Sequence, residues 1–146
     1  MPRILAVDWG ERRIGLAVSD PLGVLATGLP TLEIRGEAEA VARVADTIRT
    51  VEADSVVVGL PLTLKGERGE AAIAAERFAA KLRDATDVEV ALHDERLTSA
   101  LSERRIRERG EKTRGRKGRV DQGAAVVLLE GWLAKLRRER GEEPSE

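Results

Sequence analysis

The chain contains no cysteine, one histidine and only three aromatic residues, Trp9, Phe78 and Trp132, among its 146 residues. Without cysteine there are no disulfides, no thiol nucleophile and no cysteine-ligated zinc, which suits a reducing compartment. With so few aromatics, extensive base stacking of the kind that grips single strands is excluded. No apolar run approaches the roughly 18 residues a membrane span needs, and no signal-peptide pattern opens the chain. The expectation is a soluble cytoplasmic protein without a membrane partner. Charge of one sign is also missing in sum, since 25 Lys and Arg face 26 Asp and Glu. Any polyanion partner must therefore be argued from where the charges lie. The length fits one domain, expected over residues 1–138, with a polar tail over 139–146.

What is present is organised around Arg3-Ile4-Leu5-Ala6-Val7-Asp8-Trp9-Gly10 and the run Arg12 to Asp20 that follows it. The first stretch reads as a buried strand ending on a carboxylate, and the second as a strand at hairpin distance. Gly23 to Ile34, broken by Gly28 and Pro30, predicts a third strand with an irregular middle or an edge position. From Glu37 the period changes, and Val41, Val44, Ala45, Ile48 and Val51 predict an amphipathic helix. Ser55 to Val58, leading into Gly59-Leu60-Pro61, predicts a parallel strand covered on both faces. Residues 63–69 read as an exposed loop. Ala71, Ala74, Ala75, Phe78, Ala79 and Leu82 then give a second helical stripe. Val88 to Leu92 predicts a fifth strand ending in His93-Asp94-Glu95-Arg96. A further helix is expected from Leu97-Thr98-Ser99, and a last one from about Val120 to Leu136, with Ala125, Leu128, Leu129, Trp132, Leu133 and Leu136 on one stripe. Three antiparallel strands extended by two parallel ones, with helices between, describe an α/β fold with a mixed sheet.

Charge is concentrated where the total conceals it. Residues 103–119 hold nine basic and three acidic residues, leaving 16 basic and 23 acidic in the remainder. The second half of this segment, with Gly110, Gly115 and Gly118, predicts a flexible basic loop.

Three carboxylates can converge. Asp8 ends the first strand, and Asp94 or Glu95 lies at the end of the fifth; spacing does not choose between those two. Asp121 precedes Ala125, Leu128 and Trp132 by 4, 7 and 11 residues, which sets it on the inward stripe of the last helix. Taken singly, each acid has a plainer use: Asp8 as a turn former, Glu95 paired with Arg96, Asp121 on the free N–H groups of a helix start. Together they suit hard cations held by oxygen, Mg²⁺ or Mn²⁺, and suit zinc poorly. Two such ions can activate water and stabilise the leaving oxygen of a phosphodiester. The basic loop, through Lys112, Arg114, Arg116, Lys117 and Arg119, would then hold the phosphate backbone by charge. His93 reads as a hydrogen-bonded structural residue.

The strings Asp8-Trp9-Gly10, Arg13-Ile14-Gly15-Leu16-Ala17-Val18-Ser19-Asp20, Gly59-Leu60-Pro61, Asp94-Glu95-Arg96-Leu97-Thr98-Ser99, and Lys117-Gly118-Arg119-Val120-Asp121 with Ala124-Ala125 resemble the bacterial YqgF/RuvX family, in order over nearly the whole chain. The resemblance implies an RNase H-like fold with strand order 3-2-1-4-5. It carries the metal-binding and catalytic acids onto Asp8, Glu95 and Asp121, and so favours Glu95 over Asp94. It implies a nuclease acting on RNA, branched DNA or both: one that matures the 5′ end of precursor 16S rRNA or, as the alternative, a Holliday junction resolvase. A resolvase cuts two strands symmetrically and calls for a homodimer, yet no stretch of the sequence marks a dimer surface. RNA processing is the preferred expectation. From other classes, an actin-like phosphotransferase or ATPase would need two such domains, and a non-catalytic nucleic-acid-binding module would not need the intact acids.

Overall fold

The computed structural model describes residues 3–62, 65–94 and 117–141, with side chains omitted for 117–122. Its centre is β1 (Ile4–Asp8), which pairs antiparallel with β2 (Arg13–Ser19) on one side and parallel with β4 (Ser55–Leu60) on the other. β3 (Ala26–Glu33) closes the antiparallel edge and β5 (Glu89–Asp94) the parallel edge, giving the order β3-β2-β1-β4-β5. This is the expected sheet. The irregularity expected of the third strand is a register shift: between Ile14 and Leu16, which pair with Leu32 and Leu29, β3 carries one residue more than β2. Gly28 and Pro30 stand beside it, on the edge strand where a residue without an N–H costs least.

Helices cover both faces. α1 (Glu37–Val51) and α2 (Glu70–Ala85) follow β3 and β4, while α3 (Lys117–Glu139) covers the other face. Leu5, Val7, Ile14, Leu16, Val56 and Val58 face α1 and α2 and meet Val44, Ile48, Phe78 and Leu82. On the opposite face Ile4, Ala6, Ala17 and Val57 meet Ala125, Leu128, Leu129 and Leu133. The small residues lie on the α3 side, which lets that helix approach closely. Each fully buried Leu, Val or Phe contributes about 1.5–3 kcal/mol through removal from water. The first helix pair is also tied at its surface, where Glu37 accepts from Lys81.

The differences from sequence expectation are local. The α2 stripe uses Ala72 where Ala71 was expected. β5 runs on through His93 and Asp94, because both still have ladder partners on β4, Gly59 and Leu60. α3 begins at Lys117, so Lys117, Gly118 and Arg119 belong to helix, although the glycine and the basic run predicted loop. It ends at Glu139, three residues beyond the Leu136 expected as its end. The helix expected from Leu97 lies outside the described residues. Among the described residues no helix is long and apolar enough to cross a membrane.

Candidate active site

Strand alternation decides which way the acids face. On β1, Leu5 and Val7 point to α1 and α2, so Ile4, Ala6 and Asp8 point to the α3 side. Asp8, half-buried, is the last residue of the strand on that side. The chain then turns, and Trp9 returns to the other face, where its ring stacks on Phe78 with centroids 4.7 Å apart and 23° between the planes. Gly10 allows the turn to be this tight: a Cβ there would lie 2.5 Å from the Arg13 carbonyl oxygen.

Asp8 is flanked by residues without side chains. It pairs with Gly15 on β2. On the other side Val7 pairs with Val58, which brings Gly59 level with Asp8, and Gly59 in turn pairs with His93. The row Gly15, Asp8, Gly59, His93 therefore crosses four strands, and at about 4.8 Å per strand the His93 Cα lies about 10 Å from that of Asp8. Sequence reasoning passed over these two glycines, although a glycine inside a strand is itself a signal of close approach by another group. At the far end of the same level, Thr31 on β3 keeps its Oγ1 buried with no hydrogen-bond partner among the described residues.

His93 is half-buried on the α3 side, edge-on to Trp132 at 5.6 Å between ring centroids. Lys135 places its Nζ 5.2 Å from the Trp132 centroid. Burial pushes the imidazole pKa below its ordinary value, Lys135 and Arg138 push it further down, and Asp94 opposes them. His93 thus packs against α3 through Trp132.

Asp94, the last residue of β5, alternates to the α1/α2 side with Val90 and Leu92. Glu95 lies outside the described residues, as do Lys112, Arg114 and Arg116. Lys117, Arg119 and Asp121 are described in backbone only, within α3. Because α3 starts at Lys117, Asp121 sits in the second turn rather than at the helix start. The backbone N–H groups that follow it fall within the intrahelical ladder. Position 121 is one turn before Ala125, whose stripe packs on the sheet face that carries Asp8. Among the described residues no group of three or more His, Cys, Asp or Glu gathers. Asp8 fits a hard cation by its chemistry: a carboxylate at a strand end, with a glycine level with it on each neighbouring strand.

A mixed sheet of order 3-2-1-4-5 between helices, with an aspartate at the end of its central strand, defines an RNase H-like domain. Solved structures share this fold. RuvC of T. thermophilus in complex with a Holliday junction substrate superposes with a TM-score of 0.61 at 16% identity, covering 93% of this chain and 96% of that one. The Fowlpox virus resolvase bound to Holliday junction DNA gives 0.55 at 12% identity, covering 92% and 98%. Residues 2–135 match the family model described as "RuvX: Holliday junction resolvase", and the chain belongs to that family. Curated relatives carry a different name. A protein of Nocardia farcinica, named "Putative pre-16S rRNA nuclease", is 46% identical over 138 residues, covering 90% of this chain and 77% of the relative. One of the same name from Anaeromyxobacter dehalogenans is 47% identical over 131 residues, covering 90% and 96%.

Proposed function

We propose that this chain is a divalent-metal-dependent endonuclease that hydrolyses nucleic-acid phosphodiesters in the cytoplasm, within a single domain over residues 1–138, and that its physiological task is 5′-end maturation of precursor 16S rRNA. The observation that carries the reading is Asp8, at the end of the central strand, on the α3 face, between Gly15 and Gly59. The name borne by relatives at 46–47% identity supports the RNA substrate.

In this reading Asp8, Glu95 and Asp121 hold two Mg²⁺ or Mn²⁺ ions. The family resemblance favours Glu95 over Asp94, and Asp94 alternates to the α1/α2 side, away from the face of Asp8. The bound ions supply Lewis acidity and an activated water. The chain's own part is to hold the oxygen donors, leave room beside Asp8 for a phosphate, and keep the sugar-phosphate backbone near through Lys112, Arg114, Arg116, Lys117 and Arg119. Cleavage of a four-way DNA junction is the second reading, favoured by the description of the matching family; it would require two copies of the chain arranged as a two-fold dimer.

The test compares cleavage of a precursor 16S 5′ leader, a single-stranded RNA and a four-way DNA junction, with Mn²⁺, with Mg²⁺ and with chelator. Metal-dependent cutting of the leader is expected, and Asp8→Asn should reduce it on the order of 100-fold or more while the chain stays folded, the scale of removing one electrostatic stabiliser from an active site. Undiminished cutting by Asp8→Asn defeats the metal reading, and preferential cutting of the junction replaces the RNA assignment.

A further inference from the structure

We propose that Arg13 holds a phosphate of the nucleic-acid substrate beside Asp8. The inference deepens the nuclease reading above and rests on it for the identity of the ligand. Its basis is the β1–β2 ladder. Asp8 pairs with Gly15, and Arg13 is two residues further along β2, toward the end of the sheet at which Asp8 lies. β2 carries no extra residue, since the register shift adds one to β3, so its alternation is unbroken. Ile14 and Leu16 face α1 and α2, while Ala17 faces α3. Arg13 and Gly15 therefore share the α3 side with Asp8. A diagonal neighbour of this kind is about 7–8 Å away at the backbone, within reach of a long side chain, and the residue opposite Asp8 is a glycine that puts nothing between them.

Arg13 is exposed and its backbone is held. The Gly10 Cα approaches so closely that any Cβ would strike the Arg13 carbonyl. On the other side of the turn the Arg12 carbonyl accepts from the Ile34 N–H at 2.9 Å. The stack of Trp9 on Phe78 fixes the start of the same turn. A guanidinium carried at this position can offer two parallel N–H donors to a phosphate beside Asp8. Its charge also offsets the repulsion between the phosphate and a cluster of carboxylates. Glu33, its register partner on β3, lies on the same side, and an ion pair with it would be one competing use of Arg13. Such an exposed pair contributes at most about 1 kcal/mol and binds nothing.

The experiment measures fluorescence anisotropy of a labelled single-stranded RNA and a labelled four-way DNA junction with the full chain, in chelator, over a salt series. Arg13→Ala should weaken whichever probe binds by about tenfold and reduce the slope of log K against log salt by about one. Arg13→Lys should keep the slope but bind less tightly, because a point charge replaces the fork. Glu33→Gln should change neither. Mn²⁺ binding, followed by water-proton relaxation, should survive Arg13→Ala and weaken in Asp8→Asn. Unchanged affinity and slope in Arg13→Ala overturn the proposal, as does Glu33→Gln reproducing its effect. The anisotropy uses no metal, so the metal reading can fail through Asp8→Asn while the Arg13 result stands, and the reverse.

Discussion

Trp9 and Phe78 stack across the interface of sheet and helix, one from the turn after β1 and the other from α2, and this contact anchors the residue next to Asp8. Phe78 is the largest fully buried side chain among the described residues. Phe78→Ala should destabilise the fold by about 3–5 kcal/mol, from lost transfer energy and the cavity left behind. Urea unfolding checks this, with a lowered midpoint and an unchanged m value.

Two glycines predict opposite signs. At Gly10 an added methyl lies 2.5 Å from backbone, whereas at Gly123, inside α3, nothing lies within 4 Å. Gly10→Ala should cost about 1–3 kcal/mol by overpacking. Gly123→Ala should stabilise by about 0.5–1 kcal/mol through helix propensity. Paired thermal melts decide it, and equal shifts of one sign would contradict the account.

The loop between β2 and β3 is held by one carboxylate. Asp20 Oδ1 accepts from the N–H groups of Val24 at 2.7 Å and Leu25 at 2.9 Å, and these bonds, that from Leu25 foremost, hold its pKa below the ordinary aspartate value. A depressed folded pKa means that the contribution is present above the unfolded pKa and is lost as pH falls through the folded one. Amide exchange at Val24 and Leu25 should therefore stay slow at neutral pH and accelerate only below the normal aspartate range. Asp20→Asn should remove that pH dependence.

Neutralising Arg114, Arg116 and Lys117 together should weaken binding of any nucleic-acid probe and flatten its salt dependence by about three units of slope at most. An unchanged slope in the same anisotropy series would assign that segment another role.

The strands were legible because most are apolar runs closed by glycine, proline or a carboxylate, and because helical periodicity separates the last two; their order followed from the family resemblance. Element ends were less legible. β5 was expected to stop at Leu92, since His93 and Asp94 are polar, but a ladder continues as long as its neighbour does, and β4 reaches Leu60. The start of α3 was hidden by Gly118, a poor helix former overridden by the packed stripe that begins at Ala125. The facing of Asp8 was not readable at all. β1 is apolar on both faces, so its sequence lacks the alternation that tells sides apart; the partners of Ile4 and Leu5 settle it. Ala71 and Ala72 were interchanged for a similar reason, as alanine is acceptable on either side of a helix and only Phe78 and Leu82 fix the rotation.

The short connection from Trp9 to Arg12 acts as a measuring stick. One extra residue there would slide β2 by a single step, bringing Ile14 or Leu16 opposite Asp8 and turning Arg13 to the far side. The apolar side chain would fill the gap that Gly15 now leaves. Changes of length in this hairpin therefore bear on chemistry, whereas the same change in the Asp20–Leu25 loop, at the opposite end of β2, would leave the Asp8 row untouched.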